Sequence, residues 1–180
     1  MGAKPIADRR ISIREAYSGD LDAIARLQAR AIMVSSFDIY GQEVCEAWAK
    51  MGWQMRHGLL NGGVFFVAER EGVLVGVAGW SADSREVDCA WPRYVFVAPE
   101  AGGLGVGRQL MAAVERSARE AGRTRLQLWA SLNAVGFYET LGYRKIKPAR
   151  WPIGGGIEME HTLMEKFSAR AFPDQVHPPD

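Results

Sequence analysis

The spacing of apolar residues predicts strands and helices that follow one another along the chain. Residues 11–17 alternate apolar and polar side chains, as a strand with one buried face does. After a polar break, apolar side chains recur at helical spacing over residues 21–34, with Asp20 as the predicted N-cap. A second helical stretch is predicted from Gly41 through Trp48 toward residue 60.

The centre of the chain is richer in β-branched and aromatic residues. Residues 64–69 and 73–80 flank a turn and predict a hairpin. Residues 86–89 and 93–97 predict two further extended segments, and Pro92 between them predicts a bulge or a break.

The last third of the chain returns to alternating elements. A long amphipathic helix is predicted to end at Gly122, followed by a strand over 125–130 and a short helix over 133–141. Strands over 143–146 and 157–166 are expected next, joined by a loop with three consecutive glycines. The order of elements predicts one mixed sheet with helices on its faces, an α/β (α+β) domain.

The composition fits one globular domain. The chain has 180 residues, of which 48% are hydrophobic, enough for one sizeable core. We expect a single domain over residues 1–180, with its core at about 11–167 and a polar, proline-bearing tail over 168–180. Lys and Arg total 22 against 21 Asp and Glu, which argues against a nucleic-acid partner because phosphate contacts need a basic excess.

Cysteine and histidine usage excludes several other classes. Cys45 and Cys89 are too few for a disulfide framework or a four-thiolate zinc site, which favours a reducing compartment. The three histidines form no metal-spaced pair, so we expect no metal. No apolar run approaches the ~20 residues that span a bilayer, and residues 1–10 lack the apolar core of a signal peptide. We therefore predict a cytoplasmic protein with no membrane partner.

A glycine-rich connection joins residues 93–97 to the long helix. Its glycines are Gly102, Gly103, Gly105 and Gly107. Glycine allows a sharp turn and close approach of the backbone to a ligand, and a helix N-terminus presents unpaired N–H groups and a positive dipole end. Such a connection can bind a phosphate or pyrophosphate without a cationic side chain. A glycine-rich loop without a ligand is the alternative.

Two well-known phosphate-binding motifs do not fit this connection. The dinucleotide fingerprint G-x-G-x-x-G finds Arg108 or Leu110 at its third glycine. The nucleotide-triphosphate loop matches its glycines at Gly102 and Gly107. It then has Arg108 and Gln109 where Lys and Ser or Thr hold phosphate and magnesium.

Four segments match, in order, the motifs of a known enzyme family. Val97-Ala98-Pro99 followed by the glycines of 102–107 is similar to the central motif, and residues 126–143 are similar to the motif that comes next. The hairpin at 67–76 matches the second and third strands. Over roughly residues 11–166 the chain thus resembles the GNAT superfamily of acetyl-CoA-dependent N-acetyltransferases. The resemblance implies a mixed, mostly antiparallel sheet of about six to seven strands, a splay between the fourth and fifth, and about four flanking helices.

The resemblance also implies an activity and its site. The acetyl group of acetyl-CoA, the co-substrate, would pass to a primary amine of a small molecule or peptide by direct attack, through a tetrahedral intermediate. Tyr138 occupies the position of the tyrosine that protonates the departing thiolate. The residues implied in binding the cofactor are Val95, Phe96, Val97, Gly102, Gly103, Leu104, Gly105, Val106, Gly107, Arg108, Ser131, Asn133, Phe137 and Tyr138.

The chain departs from the family pattern at two positions. Gly102 replaces a Gln or Arg, so phosphate binding would rest on backbone N–H groups, with Arg108 as a substitute cation. Arg93 stands where relatives place an acidic residue, which leaves the general base open. The catalytic candidates nearest to it are Glu86 and Asp88, and Glu69 and His161 are alternatives. The apolar alternation around His161 favours a buried histidine with a satisfied ring.

The acceptor site is expected in the segments that resemble the family least. These are the first helices, residues 80–91 and the loop 151–156, whose aromatic residues predict an apolar or cation-accepting pocket, with core packing as the alternative. Arg93 hints at a carboxylate on the amine-bearing acceptor.

The association state and two other functions stay open. The protein is expected to be a monomer or a homodimer, with exposed tryptophans or the free edge of the last strand as a dimer contact. A module that holds acyl-CoA without transferring the acyl group, and an interaction domain with an empty glycine loop, are the alternatives to an enzyme.

Overall fold

The central element of the computed structural model, which describes residues 10–51, 63–82 and 85–168, is a seven-stranded sheet. Its strands are β1 (Ile11–Glu15), β2 (Val64–Arg70), β3 (Val73–Ala82), β4 (Cys89–Val97), β5 (Arg125–Ser131), β6 (Arg144–Gly154) and β7 (Ile157–Phe167). They lie in the order β1-β2-β3-β4-β5-β7-β6. Only the β4–β5 neighbours are parallel.

Within the described residues, four α-helices accompany the sheet. They are α1 (Leu21–Ser35), α2 (Phe37–Lys50), α3 (Val106–Glu120) and α4 (Val135–Thr140). Short 3-10 turns precede α1 and α4, and another follows β4. The predicted mixed sheet with helices on its faces is confirmed.

The sheet is split between β4 and β5. The two strands pair only at their beginnings, where Cys89 is opposite Arg125 and Ala90 is opposite Leu126. Beyond these pairs they diverge, and a cavity of about 640 Å³ opens between them. The expected splay between the fourth and fifth strands is therefore present, and it lies toward the carboxyl end of β4.

Helix α3 covers one face of the sheet. A Cβ added at Gly76 would lie 2.8 Å from the side chains of both Val106 and Leu110, so only glycine lets α3 approach β3 this closely. Trp80 faces the same helix, because its Nε1 donates a hydrogen bond to Ser117. Side chains alternate along a strand. Val77, Gly79 and Ser81 of β3 therefore face the opposite side of the sheet, where α1 and α2 lie.

Helix α1 begins at Leu21 with Asp20 at its N-cap position, as predicted, whereas α2 differs from the predicted pattern. Helix α2 begins at Phe37, earlier than expected, and Gly41 at φ 74° kinks it. The predicted continuation toward residue 60, like the tail beyond Ser168, lies outside the described residues. Asp20 does not cap α1 with its side chain. Its carboxylate instead accepts hydrogen bonds from Arg14 at 2.7 and 2.9 Å, and this contact holds the pKa of the buried Asp20 below its usual value.

Prolines fall at positions where a strand lacks one neighbour. β4 is continuous through Pro92, so the predicted break is absent, while the alternative, a bulge, occurs just after it, between Arg93 and Phe96. Its ladder with β5 has already ended at Ala90, so Pro92 lies in an edge-like position that tolerates a missing N–H. β6 is an edge strand, and it holds both Pro148 and Pro152. It therefore extends much further than predicted, and the expected free edge belongs to β6 rather than to the last strand, β7.

Candidate active site

The cavity between β4 and β5 has walls from both halves of the sheet. Residues 91–97 of β4 form one wall, and Leu128, Trp129 and Ser131 of β5 begin the other. β6 and β7 extend the second wall, and residues of α1 and α2 cover it. Tyr40 joins α2 to β7 and to the turn after β5. Its hydroxyl donates to the Glu160 carbonyl at 2.6 Å and accepts from the Leu132 N–H at 2.7 Å.

A bulge in β4 sets which side chains face the cavity. Arg93 is opposite Gly79 and Phe96 is opposite Val77, so two β4 residues oppose the single residue between. Tyr94, one of these two, has φ 55°, a backbone conformation that non-glycine residues rarely adopt. The extra residue reverses the alternation, so Arg93 and Phe96 project from the same face. The contact between Phe96 and Trp48 of α2, with ring centroids 5.9 Å apart, identifies this as the α1/α2 face.

The glycine loop lies at the carboxyl end of β4. Gly105, at φ 77°, is the N-cap of α3, and Gly103 is at φ 75°. A Cβ at either position would meet no atom within 4 Å, so their open sides can accept a ligand. The N–H groups of the first turn of α3 have no partner within the helix. This geometry suits an anion. Binding of a CoA pyrophosphate by Gly102, Gly103, Leu104, Gly105, Val106, Gly107 and Arg108 stays a prediction.

Gly107 connects the glycine loop to the cavity. A Cβ there would lie 3.1 Å from the ring of Phe137 and 3.6 Å from the side chain of Val97. Phe137 thus packs against the start of α3 and is not among the residues that line the cavity. The cavity lining does include Val95, Phe96, Val97, Ser131, Asn133 and Tyr138. Their contacts with a cofactor stay a prediction.

Tyr138, predicted to protonate the departing thiolate, is buried next to the cavity. It lines the cavity from α4, and Phe137 and Tyr143 pack around its ring at centroid distances of 5.2 and 5.6 Å. Burial raises the pKa of Tyr138 well above its ordinary value, because desolvation disfavours the phenolate. The hydroxyl therefore keeps its proton at neutral pH.

Asn133 lies on the turn that precedes α4. Its Nδ2 donates to the Ser35 carbonyl of α1 at 3.2 Å, while its Oδ1 is buried without a hydrogen-bond partner among the described residues. The residue therefore ties α1 to the far wall of the cavity and keeps one unused acceptor there.

His161 is brought into the cavity by β7. It is opposite Ser131 of β5, and its Nδ1 lies 3.0 Å from the Met159 carbonyl oxygen. A carbonyl can only accept a hydrogen bond, so this contact assigns the proton to Nδ1 and leaves a lone pair on Nε2. Burial lowers the pKa of His161 below its usual value, so the ring is neutral at pH 7 and Nε2 can accept a proton.

Sequence reasoning described His161 incompletely. The alternation with Met159 and Leu163 predicted a buried, satisfied ring. The structure shows a half-buried ring with only one nitrogen engaged. The alternation identifies a face of β7, but only the split of the sheet next to β5 turns that face into a cavity wall.

Glu86 and Asp88 are not among the residues that line the cavity, and their catalytic role stays a prediction. Glu86 forms an ion pair with Arg125 at 2.9 Å, and the Asp88 carbonyl accepts the N–H groups of Thr124 and Arg125. Both residues precede β4, at the end where β4 and β5 still pair. β4 is continuous, so the residues just before it stay at its paired end, away from the splay at its carboxyl end. Glu69, on β2, binds Arg14 at 2.6 Å instead.

The remaining thiols and acidic groups do not form a metal centre. Within residues 10–51, 63–82 and 85–168, no group of three or more His, Cys, Asp or Glu could hold a metal ion. Cys45 and Cys89 are free and buried, and desolvation raises the pKa of Cys89 to about 11. In the same part of the chain, no helix is long and apolar enough to cross a membrane.

Comparison with known proteins finds similarity to one family of enzymes. Residues 61–145 match the Acetyltransferase (GNAT) domain. An uncharacterized N-acetyltransferase of Methanocaldococcus jannaschii is 28% identical over 143 residues, which cover 74% of this chain and 61% of that protein. The match thus spans less than two thirds of that relative.

Solved structures show the same architecture. A GCN5-related N-acetyltransferase from Rhodopseudomonas palustris superposes with a TM-score of 0.79 at 26% identity, covering 92% of this chain and all of the other. The PaiA N-acetyltransferase of Thermoplasma acidophilum, solved with coenzyme A, has a TM-score of 0.73 at 19% identity over 88% of this chain and 99% of its own. The chain is therefore similar in sequence to GNAT acetyltransferases over residues 61–145 and shares the fold of these solved structures.

Proposed function

We propose that the protein transfers the acetyl group of acetyl-CoA to an amine of a small molecule or peptide. The observation that carries this proposal is a single continuous arrangement. The glycine loop at the start of α3 meets Val97 and Phe137 at the mouth of the cavity, and the cavity runs from there along the unpaired edge of β4.

The chain offers complementary groups to each part of acetyl-CoA. The open positions at Gly103 and Gly105, with the first N–H groups of α3, suit the pyrophosphate. The β4 edge from Val95 to Val97 has lost its β5 partner, so its backbone groups are free to pair with the amide-containing pantetheine arm. We infer that the thioester then lies inside the cavity, which Tyr138 also lines.

The transfer needs two proton movements, and the cavity offers one residue for each. The amine nitrogen forms a bond to the acetyl carbon as the carbon–sulfur bond breaks. The amine proton passes to His161 Nε2, whose lone pair is free, and the sulfur receives the proton of the Tyr138 hydroxyl. Atoms and charges balance when Tyr138 and His161 return to their resting states through solvent.

A thiol-release assay tests the proposal. Acetyl-CoA with a panel of primary amines should release CoA thiol, and Tyr138→Phe should lower kcat by about 10- to 100-fold with little change in the KM for acetyl-CoA. Tyr143→Phe is the matched control, since Tyr143 stacks on Tyr138 but does not line the cavity. Tight CoA binding without turnover on any amine would favour a non-catalytic acyl-CoA module. The absence of CoA binding would favour an interaction domain with an empty loop.

A further inference from the structure

We propose that the acceptor carries a carboxylate that binds Arg93 and an apolar or aromatic group that lies among the tryptophans of the cavity. The substrate class is thus amino acids with a large apolar or aromatic side chain, or close analogues of them. This inference rests on the proposed acetyl transfer and specifies its acceptor.

The first observation is an unpaired cation in the cavity. Arg93 lines the cavity on the α1/α2 face of β4, and no described residue forms an ion pair or hydrogen bond with its guanidinium. Arg125 of β5, by contrast, forms ion pairs with Glu86 and Glu165. A guanidinium presents a fork of donors that matches a carboxylate.

The second observation is the charge of the whole lining. The titratable side chains among the described cavity residues are Arg93, His161, Tyr94 and Tyr138, with no Asp or Glu. His161 and both tyrosines are neutral at pH 7, because burial lowers the pKa of the histidine and raises those of the tyrosines. Arg93 therefore gives the cavity a net positive charge, which attracts an anionic ligand and opposes a polycation.

A second donor lies beside Arg93. Trp91 and Arg93 are opposite Ser81 and Gly79, two residues apart on each strand, so both project from the same face of β4. Trp91 also lines the cavity, and its buried Nε1 has no hydrogen-bond acceptor among the described residues. Buried indole N–H groups normally have an acceptor, and a carboxylate has two oxygens with which to serve both residues.

The opposite wall is aromatic. Arg93 lies three residues after Ala90 on β4, and Trp129 lies three residues after its partner Leu126 on β5. The two side chains are therefore at the same height along the split. Trp129 packs edge-on against Trp151 of β6 at a centroid distance of 4.2 Å, and Trp151 lies 5.7 Å from His161. This wall suits a flat or bulky apolar group. It also places the amine of such a ligand near the Nε2 proton acceptor.

Paired substrates test the inference. With acetyl-CoA, L-phenylalanine and L-leucine should exceed their amides and their decarboxylated amines in kcat/KM by about 10- to 100-fold, mainly through KM. Arg93→Gln should abolish this preference while activity on the amides is kept, and Arg93→Lys should restore part of it. Arg150→Gln is the control, because Arg150 is an exposed arginine of β6 that pairs with Glu160 outside the described lining of the cavity.

A binding measurement separates this inference from the proposed transfer. Quenching of tryptophan fluorescence reports occupancy of the cavity without turnover. Tighter binding of L-phenylalanine than of phenethylamine, lost in Arg93→Gln, is expected even in a protein that transfers nothing. Equal binding of the two, or acetylation that prefers amines without a carboxylate, would overturn the inference and leave the acetyltransferase function intact.

Discussion

At the scale of single residues, the chemistry of this site depends on which nitrogen of His161 is free. The Met159 carbonyl engages Nδ1, and burial keeps the ring neutral at pH 7. The described cavity lining holds no carboxylate that could act instead. Among the described cavity residues, a neutral imidazole with a lone pair on Nε2 is therefore the group we propose as general base.

Replacing His161 with Gln should remove this proton acceptor. We expect kcat/KM for acetyl-CoA, at saturating acceptor, to fall by about 100- to 1,000-fold at pH 7.5. In the wild type the rate should rise with pH through the pKa of His161, which burial sets below its usual value, because only the unprotonated ring accepts a proton. Protonation of the acceptor amine adds the same slope to both proteins, so comparing profiles from pH 5 to 8.5 isolates the contribution of His161.

The control for this prediction is the next residue on the same strand. Glu160 projects from the opposite face of β7 and pairs with Arg150. Glu160→Gln should keep the wild-type profile. An unchanged profile in His161→Gln would mean that the proton leaves by another route, such as water.

At the scale of elements, sequence patterns located strands and helices better than they located strand ends. The motif around Val97 to Gly107 predicted a strand, a loop and a helix, and all three are present. Of the bulge or break predicted at Pro92, the break is absent, and the bulge of β4 lies just after it, at Tyr94 and the next residue. The effect of a proline depends on whether its neighbouring strand is paired. No local pattern reports that β5 has already departed at Ala90. Glu86 and Asp88 were chosen as catalytic candidates for the same reason. Their distance from the splay depends on where β4 and β5 stop pairing, which the local sequence does not show.

Two glycines at the ends of helix α3 allow a matched test of whether the glycine loop binds CoA. Gly105 precedes the helix at φ +77° and Gly122 follows it at φ +78°, and a Cβ at either would meet no atom within 4 Å. Gly105→Val and Gly122→Val should therefore destabilise the fold similarly, by about 1–3 kcal/mol, because a branched side chain is strained at positive φ. Only Gly105→Val should also weaken CoA binding, by tenfold or more, since its side chain enters the space proposed for the pyrophosphate.

Calorimetric titration with CoA and urea unfolding measure the two effects separately. Equal losses of CoA affinity in the two variants would mean that stability alone explains the effect. Unchanged affinity in Gly105→Val would show that the pyrophosphate binds elsewhere.

At the scale of the whole molecule, the sheet consists of two halves with little backbone pairing between them. Strands β1 to β4 and strands β5 to β7 are each joined by long antiparallel ladders, whereas β4 and β5 share only two pair positions. The α1–α2 side adds ties such as the two hydrogen bonds of Tyr40. The split creates the cavity, and it leaves the carboxyl half of β4 with unpaired backbone groups on one side.

A cofactor bound along this edge should act as a bridge between the halves. At 100 times its Kd, CoA should stabilise the protein by about 2.7 kcal/mol, seen as a raised Tm. Hydrogen exchange should slow at the N–H groups of residues 95–97 and of the first turn of α3, because both gain acceptors. Pantetheine, which lacks the pyrophosphate, should protect only residues 95–97, and Gly105→Val should lose the protection of α3 first. Protection by CoA that is confined to α3 and spares β4 would contradict strand-like pairing in the split, and the cavity would then hold the acceptor alone.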